Sequence, residues 1–327
     1  MLHVTSGDAT ADPLRRAGLL GEVTTVIDPL HEGPAPGGLA PGAWRQMRAR
    51  FIADAGWDRF ETALARFTAE DAALERAPAH DETVLWFEHD LHCQLNLVRL
   101  LAGFAAQPPR AAQISLVCIG AYPGMPDFAG LGQLAPEQLA GLFPSRQSVS
   151  DRMLEIGTAA WRAFTSPDPV AIESLLAGDT SALPFLGRAL QRHLEQFPSV
   201  GAGLSRSERQ TLQASAPATI EARRLFGAVA AMEETPFMGD TIFWTHATRM
   251  AAGSRPLLVL SPTGAGLRDA SVTLTAHGRA ALDGALDWAR AGAYDRWLGG
   301  VHLTGPDPAW RWDRAQGRLV RTAAPSG

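Results

Sequence analysis

Within its first 120 residues the chain alternates short apolar or β-branched runs with amphipathic stretches, and this alternation restricts the fold more than any other feature. Residues 2–6, 22–27, 83–87 and 114–119 read as strands, and residues 9–17 and 91–104 read as helices between them. Strands alternating with helices pair in parallel and carry helices on both faces of the sheet. A Rossmann-like α/β domain over residues 1–122 is therefore expected. In such a sheet ligands bind in the crevice outside the carboxyl ends of the strands.

Three of these runs enter ionisable clusters at that edge. The first ends in Ser6-Gly7-Asp8, the second in Asp28-Pro29-Leu30-His31-Glu32, and the third in Glu88-His89-Asp90-Leu91-His92. Carboxylates and imidazoles serve as general acids and bases and also as ligands for divalent metals. If the three clusters meet, Glu88, His89 and Asp28 are the catalytic candidates, with Glu88 or Asp28 as base. Gly7, Asp8, His31, Glu32, Asp90 and Gly120 are then the ligand-binding candidates. A divalent metal is compatible with these residues, but no recognised metal-ligand spacing specifies one. The competing reading is structural: Asp8 and Asp90 stand where helices begin, as N-caps do, and Asp28 before Pro29 starts a turn.

Gly7 and Gly120 fall at strand ends, where a ligand can approach the backbone and the amides of a following helix can hold an anion. A small phosphorylated or nucleotide-like ligand suits that edge, and hydrolysis suits the residue types. The first strand-helix unit has no Gly-x-Gly-x-x-Gly fingerprint, so NAD is not expected. All 29 basic residues are arginine. Without lysine there is no pyridoxal phosphate Schiff base and no Walker-type phosphate loop. Two cysteines, Cys93 and Cys118, cannot build a disulfide framework and read as small buried apolar residues.

Residues 123–202 carry helix signals near 136–142, 148–164, 169–176 and 184–197, which predicts a helical section packed on the sheet domain. Ser205-Arg206-Ser207-Glu208 fits a capping box at the start of a third unit, residues 203–327. A helix starting at that box, helices over about 220–232 and 240–252, a two-stranded ribbon and a helix over 275–291 give that unit a winged-helix-like order. Trp297, Trp310 and Trp312 mark a tail clamped onto it. A DNA-binding form of this unit would use Thr245, His246 and Arg249 on the third helix and Arg268 in the wing. Residues 1–200, at net −8, are a poor polyanion binder, and residues 201–327, at net +3, fall well short of the basic footprint of a dedicated nucleic-acid domain, so DNA is the alternative partner and a small molecule the first. No run of about 18 apolar residues predicts a membrane span, and nothing resembles a secretion signal. A cytoplasmic protein is expected. The oligomeric state is not encoded in any of these patterns.

His3-Val4-Thr5-Ser6-Gly7-Asp8, Asp28-Pro29-Leu30-His31-Glu32-Gly33-Pro34, and Leu85-Trp86-Phe87-Glu88-His89-Asp90 with Gln94-Leu95 resemble a bacterial family whose first domain is catalogued as domain of unknown function eighteen thirty-five. Further likeness lies in Gly130-Leu131-Gly132-Gln133-Leu134, Leu204-Ser205-Arg206-Ser207-Glu208-Arg209 and Trp310-Arg311-Trp312-Asp313. The resemblance implies the domain plan and no reaction. It also implies that His92 stands where relatives carry other residue types. Two functions are therefore expected in competition: an enzyme acting at the sheet edge, and a ligand-sensing regulator or adaptor that uses its last unit to bind DNA or protein.

Overall fold

The computed structural model describes residues 1–107, 113–262, 269–291 and 294–322. The chain divides into two compact units, Met1–Leu190 and Gln191–Gly327. The helical stretch after residue 123 belongs with the sheet up to Leu190, and the second unit begins about a dozen residues before the expected boundary at 203.

The first unit runs β1 (Leu2–Thr5), α1 (Asp8–Arg16), β2 (Glu22–Thr25), β3 (Gly33–Pro34), α2 (Pro41–Asp54), α3 (Phe60–Glu75), β4 (Glu82–Glu88), α4 (Leu91–Ala105), β5 (Gln113–Ile119), α5 (Pro136–Leu142), β6 (Gln147–Ser148), α6 (Asp151–Phe164) and α7 (Val170–Leu176). The division falls inside α8 (Leu186–Leu194). Its sheet has the order β2-β1-β4-β5-β6, parallel except for β6. Leu2 lies opposite Glu22 on one side and Thr83 on the other. All seven residues of β4 are buried, as expected for a strand covered on both faces. Leu14, Val84, Trp86, Val117, Leu131 and Leu139 pack in one layer. On α4, Leu91, Leu95, Leu97, Val98 and Leu101 are buried.

From β1 the chain moves outward to β2 and then returns to place β4 on β1's other side. The direction of winding therefore reverses between β1 and β4, and their carboxyl ends flank the crevice where ligands bind in sheets of this kind. Segments 6–8 and 88–90 leave the sheet at that point.

The second unit continues with α9 (Arg206–Ser215), β7 (Ile220–Glu221), α10 (Ala222–Ala230), α11 (Asp240–Ala251), β8 (Leu258–Ser261), β9 (Ser271–Leu274) and α12 (Ala276–Leu282). The strands β10 (Tyr294–Gly299), β11 (Val301–Gly305), β12 (Trp310–Asp313) and β13 (Arg318–Arg321) follow. The capping box is present: Ser205 Oγ accepts from the Glu208 amide at 3.2 Å, and Glu208 Oε2 accepts from the Ser205 amide at 2.7 Å. Strands β7, β9 and β8 form an antiparallel sheet in that order. Leu212, Leu225, Phe243, Met250, Leu257 and Val272 are buried in the core between this sheet and α9 to α11.

Two expectations fail in the second unit. The helix expected over 275–291 stops at Leu282, and the chain beyond it is two antiparallel hairpins, β10–β11 and β12–β13. Residues 220 and 221, expected to open a helix, instead add a third strand to the ribbon. No helix among the described residues is long and apolar enough to cross a membrane.

Candidate functional site

Glu88 is the last residue of β4, and its carboxylate lies beneath the chain that follows β5. Its Oε1 accepts from the Leu131 amide at 2.5 Å, and its Oε2 accepts the Cys93 thiol at 2.9 Å. The same sulfur lies 3.0 Å from Ser6 Oγ, so the single thiol hydrogen serves one oxygen at a time. Gly130 is required here by close approach. A Cβ at that position would lie 3.0 Å from Glu88 Cδ and Oε1. Part of the Gly130-Leu131-Gly132-Gln133-Leu134 segment thus serves to seat this carboxylate.

Burial, reinforced by the neighbouring Asp90 charge, raises the Glu88 carboxyl from 4.5 to about 7. It is therefore half protonated near neutrality, as a general acid or base needs to be. Burial together with the Asp90 and Glu88 charges raises the Cys93 thiol well above its ordinary value. The group is a neutral donor and a poor nucleophile.

Asp90 is the N-cap of α4, its side chain accepting from the Cys93 amide at 3.1 Å. Glu88, Asp90 and Cys93 each present one ligand atom within 4.8 Å of the others, the one such group among the described residues. Two carboxylates and a thiolate are an acceptable donor set for zinc. A cation could enter only as the thiol hydrogen left, so its binding would tighten as pH rises.

His89 is half-buried, stacked on Phe128 at 6.3 Å and edge-on to Phe185 at 5.9 Å. Burial lowers its pKa, which favours the neutral imidazole. Gly120 lies against it: a Cβ there would come within 2.9 Å of the Phe185 ring and 3.2 Å of His89 Cγ. A cavity of about 300 Å³ opens on this side, lined by Gln94, Cys118, Ile119 and Phe185 among others. Gln94 joins it to the site by donating to the Glu88 carbonyl at 2.6 Å.

Asp28 does not join this cluster and is not placed to act as a base. It is fully buried, and Arg48 donates to it from Nε at 2.9 and 3.1 Å and from Nη2 at 2.6 Å. Arg48 also donates to the carbonyls of Glu32 at 2.8 Å, Pro34 at 3.0 Å and Pro29 at 3.2 Å. The pair therefore pins the loop that carries His31 and Glu32, both buried. His31 stands edge-on to His92 at 5.7 Å, and Asn96 donates to the Asp28 carbonyl at 3.0 Å. Both clusters thus contact the first turns of α4, Glu88 through Cys93 and the loop through His92 and Asn96.

Asp8 is exposed in the first turn of α1 and does not cap it. The N-cap is Gly7, which has no side chain to occupy the helix amides, and a Cβ there would meet nothing closer than 3.9 Å. Cys93, Ser6, Leu131 and Arg48 take roles here that no local pattern in the sequence assigned to them. Cys93 follows Asp90 by three residues, the spacing at which an N-cap meets its amide, and this was the available signal. The Leu131 amide carries no signal in the sequence.

On α11, Thr245 is exposed, and the two other residues assigned to nucleic acid there are less accessible. Arg249 is ion-paired to the fully buried Glu208, and His246 is buried. Arg268 lies outside the described residues. The chain matches no protein-family model, and no curated protein matches it.

Proposed function

We propose that the first unit is an enzyme that hydrolyses a small phosphorylated or nucleotide-like ligand at the carboxyl edge of its sheet, between β1 and β4. The observation that carries this reading is the Glu88 carboxyl, buried at the winding reversal and raised to about 7. In this reading Glu88 takes and returns the proton, and Cys93 relays it toward Ser6 at the rim. The start of α1, left uncovered by Gly7, faces the anionic part of the ligand. His89, as a neutral imidazole, and Gly120 border the ligand from the side of β5. Asp90 orients the first turn of α4 and, with Glu88 and Cys93, would hold a divalent metal if one takes part. The resemblance to the bacterial family of domain eighteen thirty-five is compatible with this plan and adds no reaction to it.

The test is a hydrolysis and binding panel of nucleotides and sugar phosphates, run on the wild type and on Glu88→Gln and His89→Ala. Loss of turnover in Glu88→Gln with binding retained supports the reading. Turnover unchanged in both variants overturns it.

A second reading, a regulator or adaptor with a winged-helix-like end, is favoured by the element order α9-β7-α10-α11-β8-β9 and the sheet order β7-β9-β8. The outward positions of α11 include Thr241, Thr245 and Thr248, which carry no positive charge. This weighs toward a protein partner and away from DNA. An electrophoretic shift at low salt would restore the DNA form.

A further inference from the structure

The second unit contains a cavity of about 670 Å³ whose lining includes Arg206, Arg209, Gln210, Trp312 and Arg314. Two of the segments that sequence reading singled out, Leu204-Ser205-Arg206-Ser207-Glu208-Arg209 and Trp310-Arg311-Trp312-Asp313, meet there. The sheet-edge site does not use either of them. The volume lies within the range of small-molecule sites, roughly 300–1,000 Å³.

Its charges are unevenly matched. Arg206 is neutralised, donating to Glu195 at 2.8 Å and Glu234 at 2.6 Å. Arg209 and Arg314 have no ion pair among the described residues, and the Arg209 Nε is buried without a hydrogen-bond acceptor. Partial burial, and after it the Arg314 charge, disfavour the charged form of Arg209, so the two guanidinium groups repel each other across the cavity. Gln210 is 5% exposed. Its amide nitrogen donates to the Met232 carbonyl at 3.3 Å, which turns its oxygen the other way, buried and unpaired. Such groups cost free energy when left unmatched, and a ligand that pairs them recovers it. The capping box already satisfies the start of α9, so its helix amides are not part of this site.

We propose that this cavity binds a small phosphomonoester, with Arg209 and Arg314 on the phosphoryl oxygens and the Gln210 oxygen accepting from a ligand hydroxyl. Two unpaired guanidinium groups suit a dianion, and their planar forks match phosphoryl oxygens in pairs. The lone acceptor calls for a donor on the same molecule, which a hydroxylated monoester supplies. The site is separate from the one proposed around Glu88.

The experiment is calorimetric titration of the full chain with inorganic phosphate, a pentose phosphate, adenosine monophosphate and a polynucleotide. It is run on the wild type, Arg209→Gln and Arg314→Gln, with thermal melts of each protein alone. Each substitution should weaken the tighter monoester by about tenfold or more, removing one binding equivalent per chain. Arg209→Gln should melt no lower than wild type without ligand, because it removes an unpaired charge, and that melt separates lost binding from lost folding. Phosphate binding as tightly as both monoesters would overturn the monoester assignment. Equal binding by wild type and both variants would overturn the site. Binding of a polynucleotide with no monoester bound would replace it with a nucleic-acid surface.

Discussion

Cys93 donates its thiol hydrogen to Glu88 across 2.9 Å while its sulfur also touches Ser6. A single side chain thus connects the ends of β1 and β4 at the reversal of winding. The sulfur is fully enclosed, and every charge that acts on it is negative. Cys93 should therefore not alkylate in the folded protein at about pH 8, where an ordinary thiol is partly ionised. Cys118 is only half-buried, but burial raises it to about 12, and it should resist as well. Mass spectrometry after iodoacetamide treatment, with and without denaturant, checks both. Full labelling of Cys93 in the native state would place a thiolate where the geometry has a donor.

The Glu88 carboxyl links the site to stability. Its folded pKa, about 7, exceeds its ordinary value of 4.5, so the folded state holds the proton more tightly than the unfolded chain. The stabilisation this gives is complete below about pH 4.5 and is lost as pH rises to 7. Near neutrality the loss approaches about 3 kcal/mol. Glu88→Gln has no such proton to lose, so its stability relative to wild type should grow across that window. Denaturant melts of the two proteins at pH 5 and pH 8 give the difference directly. A constant difference would mean that the carboxyl titrates alike in both states.

Arg48 and Asp28 form a fully enclosed ion pair, and the guanidinium holds three carbonyls of the 29–34 loop besides. Removing one partner of a buried pair leaves the other charge without water or counterion, a loss of about 3–5 kcal/mol. Arg48→Met should therefore destabilise the first unit by that amount. The double variant Arg48→Met/Asp28→Leu should recover part of it, because no bare charge remains. Chemical denaturation of the wild type, both single variants and the double variant measures the cycle, and full additivity would deny the pairing.

The parallel sheet and its carboxyl-edge cluster were legible because β-branched runs, apolar helix faces and terminal acids are local patterns. The seven-residue run ending at Glu88 and the helix after Asp90 carry their own boundaries. The pairing of Asp28 was not legible, since its partner Arg48 lies 20 residues away on α2 and reads as an ordinary polar position on an amphipathic helix. The last hairpins were hidden for a related reason. Arg296 in β10 and Arg311 in β12 occupy buried positions, so the alternation of apolar and polar residues that announces a strand is broken at the inward sites. Charges buried with distant partners defeat local reading in both units.

Gly130 tests whether the chain after β5 seats Glu88. Its backbone is extended, with φ near 166°, a conformation any residue adopts, so alanine incurs no conformational cost. The Cβ would nevertheless stand 3.0 Å from the carboxylate and push it from the Leu131 amide, for a loss of about 1–3 kcal/mol. That amide favours the charged carboxylate, so its loss should raise the Glu88 titration further above 7. Gly7→Ala is the internal control: its backbone is also extended and its Cβ would enter open space, so its stability should change by less than about 0.5 kcal/mol. In the proposed enzyme the same methyl group would stand at the uncovered start of α1 and weaken ligand binding. Thermal melts of both variants, with a pH titration of Gly130→Ala, separate the two effects. Equal melting of both with wild type would show that Gly130 yields without moving Glu88.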